Sequence, residues 1–303
     1  MDAKIVLLTA EDIPQAMALK DALGWNQVPA DWQRFLDLAP RGCFKAVVAD
    51  RVVGTAVAFV FDRVCWIGMV IVEESFRRRG LGLALTRRCL EHSSEQGCRL
   101  CLLDATAGGV PLYAGLGFQS VGSVARATPE REGTPPDSAV RSLSLPSGGT
   151  LRPVTPTDLA AVAALEARAV GARREPLLRR LLEQRVAPGA PGNGLAWLDE
   201  AGSLRGFVLW RPGRHALQIG PLITAGSEAP GALLDGALAA ARDCGQPPTL
   251  TVPADRREVT ALLEARGLRV ERRLTRMVLP TSAGERLRGE DQLIYAFSGP
   301  EKG

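Results

Sequence analysis

Val70-Ile71-Val72-Glu73-Glu74-Ser75-Phe76-Arg77-Arg78-Arg79-Gly80-Leu81-Gly82-Leu83 is the stretch on which the reading of this chain turns. Three consecutive apolar residues end a strand, and a few positions later Arg77 to Gly82 opens a helix. Glycine at such a junction lets the backbone lie close to a ligand, because no Cβ stands in the way. A helix start adds N–H groups that lack intrahelical partners, together with the positive end of the helix dipole. A pyrophosphate is the natural guest. The three arginines add charge where its phosphates would sit. Taken alone, an Arg-rich turn with two glycines also fits a solvated helix N-terminus, so its surroundings decide.

Those surroundings occur twice. Thr9-Ala10-Glu11-Asp12 precedes the apolar-periodic run Ile13 to Leu23, and Thr155-Pro156-Thr157-Asp158 precedes Leu159 to Leu165. Each fits a helix start, with Thr at the N-cap and an acid three residues on. Arg51-Val52-Val53-Gly54 followed by Thr55-Ala56-Val57-Ala58-Phe59 is matched by Ser203-Leu204-Arg205-Gly206 followed by Phe207-Val208-Leu209-Trp210. Both read as strand pairs turning at a polar tip. Trp66-Ile67-Gly68-Met69-Val70-Ile71-Val72 is matched by Gln218-Ile219-Gly220-Pro221-Leu222-Ile223-Thr224, and the offset is 152 residues at both glycine pairs, Gly54/Gly206 and Gly68/Gly220. Leu112-Tyr113-Ala114-Gly115-Leu116-Gly117-Phe118 and Leu262-Leu263-Glu264-Ala265-Arg266-Gly267-Leu268 follow at an offset of 150, which one small deletion explains.

Each half thus carries a helix, a strand hairpin, a strand, a helix (Gly80 to Gln96; Ala232 to Cys244), a strand (Arg99 to Leu103; Thr249 to Val252), a shorter helix and closing strands. This is an α/β chain on a mixed sheet, made of two like domains. Thr128 to Gly149 is rich in Pro, Ser and Gly, with a weak strand at Val140 to Leu145. The boundary is placed near Gly148, giving domains 1–148 and 149–303. Ile294-Tyr295-Ala296-Phe297 reads as a late strand at the domain interface, where both halves could shape one acceptor pocket.

Length and composition agree. The 303 residues suffice for two cores, and 46% apolar with 23% charged residues is an ordinary globular mix. The formal charge of +4 is interleaved along the chain. It implies a mild preference for anions and no nucleic-acid partner, since a basic stripe and an aromatic platform are both lacking. No stretch approaches the roughly 18 apolar residues of a membrane span, and no signal core follows Met1, so no membrane partner is expected and the location is read as cytoplasmic. Six cysteines need not pair in that setting. Cys98 and Cys101 form a CxxC, but on a strand an offset of three puts them on opposite faces. No second pair completes a ligand set, so no metal is expected.

The first half resembles the GCN5-related N-acetyltransferase (GNAT) family. That family's acetyl-CoA loop has Gln or Arg, two residues, Gly, one residue, then Gly or Ala, matched here by Arg77, Gly80 and Gly82. A strand ending in an apolar pair precedes the loop, here Ile71 and Val72, and a Leu-Tyr…Gly-Phe helix follows, here Leu112, Tyr113, Gly117 and Phe118. The resemblance covers roughly residues 1 to 127 and implies the acyl-CoA N-acyltransferase fold. It implies cofactor contacts from Ile71, Val72, Arg77, Arg78, Arg79, Gly80, Leu81, Gly82 and Leu83, with the backbone of Ile71 and Val72 pairing with pantetheine. Acetyl-CoA is then an acyl-donor cosubstrate, and transfer occurs by direct attack of an amine in a ternary complex.

Such a transfer needs a neutral amine, a polarised carbonyl and a proton for the departing thiolate. Tyr113, one of only two tyrosines, is the candidate general acid. Backbone N–H near Val72, where the strand splays, would polarise the carbonyl. Glu73 is the candidate base, acting through a water, with Glu74 and Asp104 as rivals. His92 and His215 lie outside the motifs and read as surface residues. The acceptor is a primary amine of a small molecule, an amino acid or an amino-terminal group, on a monomer or homodimer. A coenzyme-binding sensor without turnover would share Arg77 to Gly82 but would not need Tyr113.

The second half departs from the pattern. Carried through the 152 offset, Arg77 meets Ala229, Gly80 meets Ala232 and Gly82 meets Leu234, while Tyr113 falls near Leu263. A leucine obstructs a close backbone approach to phosphate. The expectation is a tandem chain with one intact and one degenerate domain.

Overall fold

The paired helix starts form as the spacing requires. In a computed structural model, which describes residues 3–130, 149–184, 192–226, 229–281 and 285–299, Asp12 accepts the Thr9 N–H at 2.8 Å and the Thr9 hydroxyl at 3.0 Å. Asp158 accepts the Thr155 N–H at 2.8 Å and its hydroxyl at 2.8 Å. Each motif satisfies donors that a helix start leaves open.

The first half builds β1 (Lys4–Leu7), α1 (Ile13–Asp21), α2 (Pro29–Leu38), β2 (Cys43–Val48), β3 (Arg51–Phe61), β4 (Val64–Val72), α3 (Leu81–Glu95), β5 (Leu100–Ala105), α4 (Val110–Ala114) and β6 (Gln119–Pro129). The second builds β7 (Thr150–Pro153), α5 (Leu159–Val170), α6 (Glu175–Glu183), β8 (Gly194–Leu198), β9 (Leu204–Arg211), β10 (Leu217–Thr224), α7 (Pro230–Asp243), β11 (Pro248–Pro253), α8 (Arg257–Glu264), β12 (Leu268–Pro280) and β13 (Ile294–Ala296). Sequence patterning accounts for these elements except β1, β7, α2, α6 and the strands ahead of each hairpin tip. In the first half the tip lies at Ala49 and Asp50, both at positive φ.

Gly54 sits inside β3, where a Cβ would come within 2.9 Å of the Ile71 carbonyl oxygen and 3.1 Å of Leu85 Cδ1. Gly206, inside β9, has the same office: a Cβ there would lie 3.0 Å from Thr224 and 3.1 Å from Leu233 Cδ1. Each glycine lets a helix press onto its sheet.

Two compact units result, and they do not follow one cut of the chain. The first takes the chain to Val121 and adds Thr275–Arg286; the second takes Gly122–Leu274 and Leu287–Pro300. In the first unit the strands run β1-β2-β3-β4-β5 and end on the last part of β12, paired antiparallel with β5 from Thr275↔Ala105 to Pro280↔Leu100. In the second they run β7-β8-β9-β10-β11 and end on β6, paired with β11 from Leu250↔Ala127 to Pro253↔Val124. Each sheet is mixed, because β4–β5 and β10–β11 are its parallel pairs. The boundary expected near Gly148 and the strand expected at Val140 to Leu145 lie outside the described residues.

The first core packs Leu85 and Cys89 of α3 against Ala56, Ala58, Cys65, Ile67, Cys101 and the incoming Met277. Alternate residues of β3 face the other way, where Phe59 meets Phe35 of α2 at 5.3 Å between ring centroids. The second core has the same plan, with Leu233, Leu234, Ala237 and Leu238 of α7 on a sheet that includes Ala125 and Ala127 from β6.

Two side-chain expectations change. Cys98 and Cys101 pack into one core rather than onto opposite faces, because Cys98 precedes β5 and alternation does not yet bind it. Cys101 Sγ lies 3.0 Å from the Ser93 hydroxyl, and burial pushes the Cys43 thiol up to about 12. His92 is buried at 6% exposure on the inner face of α3, while His215 is exposed.

Candidate active site

Strands β4 and β5 pair in parallel only at Val64↔Leu100, Cys65↔Cys101 and Trp66↔Leu102. Beyond Trp66, β4 continues to Val72 beside β3 alone, while β5 continues to Ala105 beside β12. The two strands have parted, leaving one edge of β4 without a strand partner among the described residues. Directions along that edge follow from alternation: the Glu73 N–H donates to the Val53 carbonyl at 2.8 Å, so Ile71 faces β3 as well, and Val70 and Val72 face the gap. The Val72 carbonyl agrees with this assignment, since it accepts from Arg77 Nε at 3.1 Å.

An irregularity sets up this edge. The β3–β4 register shifts between Thr55 and Val57, and Met69 sits opposite at φ 52°, a left-handed backbone that a side-chain-bearing residue seldom takes. Thr55, fully buried, donates its hydroxyl to the Met69 carbonyl at 2.8 Å. Sequence reading placed the donors near Val72 and missed Val70 and Thr55. The period of two along a strand points to Val70, and a lone hydroxyl in the apolar run of β3 points to Thr55.

At the end of β4 the chain turns into α3 through Arg78 at φ 62° and Gly80 at φ 80°. Glycine takes that conformation without strain. Gly80 is the N-cap, no side chain caps the helix, and the first intrahelical bond is Ala84 N–H to the Gly80 carbonyl at 2.9 Å. The N–H groups of Leu81, Gly82 and Leu83 therefore stand at the open, positive end of a 15-residue helix. Arg77, Arg78 and Arg79 are exposed beside them, with Arg79 over the Phe76 ring at 5.4 Å.

Gly82 joins the parts. A Cβ on it would lie 3.4 Å from Leu112 Cδ1 and 3.9 Å from Val72 Cγ2, so the strand end, the helix start and α4 meet at one point. Tyr113, next to Leu112, is half-buried, with its ring edge-on to Phe118 at 6.0 Å. Burial, reinforced by Cys89, pushes its phenol up to about 12, so it keeps its proton throughout the neutral range.

The carboxylates divide sharply. Glu73 accepts from Arg51 Nη2 at 2.7 Å and from the Ser75 hydroxyl at 2.9 Å. Its rival Asp104 points elsewhere: it makes a two-pronged bond with Arg276 on β12, at 2.8 and 2.9 Å, and its side chain is 3% exposed. That is a cross-strand pair holding the sheet edge. Glu74 is exposed. Among the described residues no group of three or more His, Cys, Asp or Glu is placed to hold a metal ion.

An α/β unit whose parallel strands part above an uncapped helix start is the architecture of acyl-CoA N-acyltransferases. Comparison with known proteins gives the family. Residues 14–118 match the model described as "Acetyltransferase (GNAT) family", and residues 162–296 match that described as "Acetyltransferase (GNAT) domain". The chain belongs to the GNAT family and carries two of its domains in tandem. An uncharacterized N-acetyltransferase of Bacillus subtilis strain 168, YitH, is 30% identical over 122 residues, a match spanning 40% of this chain and 42% of that protein. A candidate acetyltransferase of Pyrococcus horikoshii superposes with a TM-score of 0.77 at 22% identity, over 99% of this chain and 96% of its own. A tandem GNAT protein from the clavulanic acid biosynthesis pathway does so with a TM-score of 0.65 at 17% identity, over 94% and 100%. At such identities the likeness is one of fold. Among the described residues no helix is long and apolar enough to cross a membrane.

Proposed function

We propose that this chain transfers an acetyl group from acetyl-CoA to a primary amine of a small molecule, an amino acid or an amino-terminal group, by direct attack in a ternary complex at a single site in the first unit. One observation carries the reading: the edge of β4 past Trp66 turns donors toward a gap that ends at an uncapped helix start. The coenzyme supplies the acyl group already activated as a thioester. The chain supplies the rest. Backbone of Leu81, Gly82 and Leu83, with Arg77 to Arg79 beside it, would hold the pyrophosphate. The strand end at Val70 to Val72 would hold the pantetheine, with the gap-facing N–H groups of Val70 and Val72 turned toward the acyl oxygen.

Tyr113 would hold the proton that the departing sulfur needs. With its phenol near 12, it supplies that proton without ionising first. Glu73 would accept the amine proton through a water, its carboxylate held in one orientation by Arg51 and Ser75. Thiol release from acetyl-CoA with a panel of primary amines tests the reading. Tyr113→Phe and Glu73→Gln are each expected to lower kcat by about 100-fold or more with coenzyme affinity unchanged. Coenzyme binding without turnover on any amine would turn the site into a sensor, and no coenzyme binding would refute it outright.

A further inference from the structure

The second unit repeats the parting of the strands, and then closes it. Strands β10 and β11 pair in parallel only at Leu217↔Pro248, Gln218↔Thr249 and Ile219↔Leu250, which mirrors the three pairs of β4 and β5. The β9–β10 register breaks between Ile219 and Leu222, as the β3–β4 register breaks beside Met69. At the matching place, however, the second unit holds a strand. β13 pairs antiparallel with β10 at Leu222↔Ala296 and Ile223↔Ile294, and its far side bridges β11 at Thr251↔Phe297. Leu222 and Ile223 stand 152 residues after Val70 and Ile71, on the stretch of β4 past Trp66 that runs beside β3 alone.

We propose that Ile294–Phe297 takes, in the second unit, the lane that the pantetheine arm takes in the first, so that the second cleft is closed by the chain itself and accepts no coenzyme. The assignment of the lane rests on the function proposed above; the filling of the cleft does not. The segment is built in rather than laid on. Phe297 N–H donates to the Thr251 carbonyl at 2.7 Å, and Ile294, Tyr295, Ala296 and Phe297 are all buried. Arg256 holds the segment from one side, donating to the carbonyls of Ile294 at 2.7 Å and Asp291 at 3.0 Å while covering the Tyr295 ring at 5.1 Å. Just upstream, Glu290 takes two bonds from Arg168 at 2.5 and 2.8 Å. Gly220 lies so close that a Cβ there would be 2.0 Å from the Phe297 carbonyl oxygen.

The far end of the cleft is shut as well. Pro230 removes an N–H at the start of α7, and Arg266, paired with Asp235 at 2.6 and 3.0 Å, puts Nη2 within 2.8 Å of where a Cβ on Gly231 would be. The anion-binding end is thus covered by a guanidinium already committed to a carboxylate.

Amide hydrogen exchange on the full chain, with and without saturating acetyl-CoA, tests the proposal. Peptides covering 294–297 and 220–224 are expected to exchange slowly and to stay within about twofold of each other in the two conditions. Free-chain exchange at 294–297, or a change of about tenfold on adding acetyl-CoA, overturns it. Peptides covering 70–84 are read in the same experiment: their failure to respond would count against the function proposed for the first unit and leave the filled cleft standing. The double variant Ala229→Gly, Pro230→Leu gives α7 the Gly-Leu-Gly start of α3 and is expected to bind one equivalent of acetyl-CoA, as the wild type does. A second equivalent would overturn the proposal.

Discussion

Two helix starts, 149 residues apart, show what separates a site from a scaffold: cap for cap, Gly80 meets Ala229 and Gly82 meets Gly231, not Ala232 and Leu234 as the 152-residue offset predicts, because the repeat loses its residues ahead of this helix. At α3 the chain offers Gly80 at φ 80°, three exposed arginines and no cap. At α7 it offers Ala229, fully buried, at the cap and Pro230 directly behind it. Both helices press onto their sheets against a glycine, so the packing is equally good in each. What differs is whether backbone donors reach the outside. A domain can keep its core and lose its site by changing a handful of residues that the core never needed.

The largest effect should come from filling the first helix start with a side chain. Gly82→Leu is expected to weaken acetyl-CoA binding by about 100-fold or more, some 2.7 kcal/mol, while thermal stability changes little. Gly82→Ala is the sharpening control: its Cβ would sit 3.4 Å from Leu112, an ordinary contact, so a small loss is expected. Calorimetric titration of both variants checks the pair. Equal losses for Ala and Leu would mean that side-chain bulk at Gly82 is not what controls access to the helix start.

How far the sequence discloses this depends on the range of the interaction. Capping boxes, the Gly80 turn and the repeat are local and were readable, because a few neighbouring residues determine each backbone shape. Asp104 looked like a catalytic rival because nothing near it in sequence is its partner; Arg276, 172 residues away, is. The passage of β12 into the first sheet is of the same kind, and it changes how the chain can be divided. A fragment ending at Gly148 would lack the strand that pairs with β5, so truncation there cannot isolate the first unit. Ile294 to Phe297 was legible as a strand, but its seat between β10 and β11 was not, since alternation says which face a residue takes and not which gap a strand fills.

Thr55 offers an intermediate test, because its counterpart at the 152 offset, Phe207, has no hydroxyl to give. Thr55→Val leaves the buried Met69 carbonyl without its 2.8 Å donor, at a cost of about 1–3 kcal/mol in stability. If the hydroxyl also holds the edge of β4 in register, kcat should fall by roughly tenfold while coenzyme affinity holds, and Thr55→Ser should restore the rate. A stability loss with kcat intact would reduce Thr55 to a structural bond.

The smallest effect separates the two units by pH. His92 on α3 falls opposite Ala240 on α7, so only the first unit carries a buried imidazole on this helix. Burial holds its pKa below the ordinary 6.5, with Arg88 adding to the shift and Glu95, 3.7 Å from Nδ1, opposing it. As pH falls through 6.5 the unfolded chain takes up a proton that the folded chain refuses, so stability drops on the acid side and is unaffected above it. The slope from one such group cannot exceed about 1.4 kcal/mol per pH unit. His92→Gln should therefore lose less stability than the wild type between about pH 7 and pH 5.5, read as the shift in urea midpoint. The same acid loss in both proteins would show that the carboxylates, not this imidazole, set the limit.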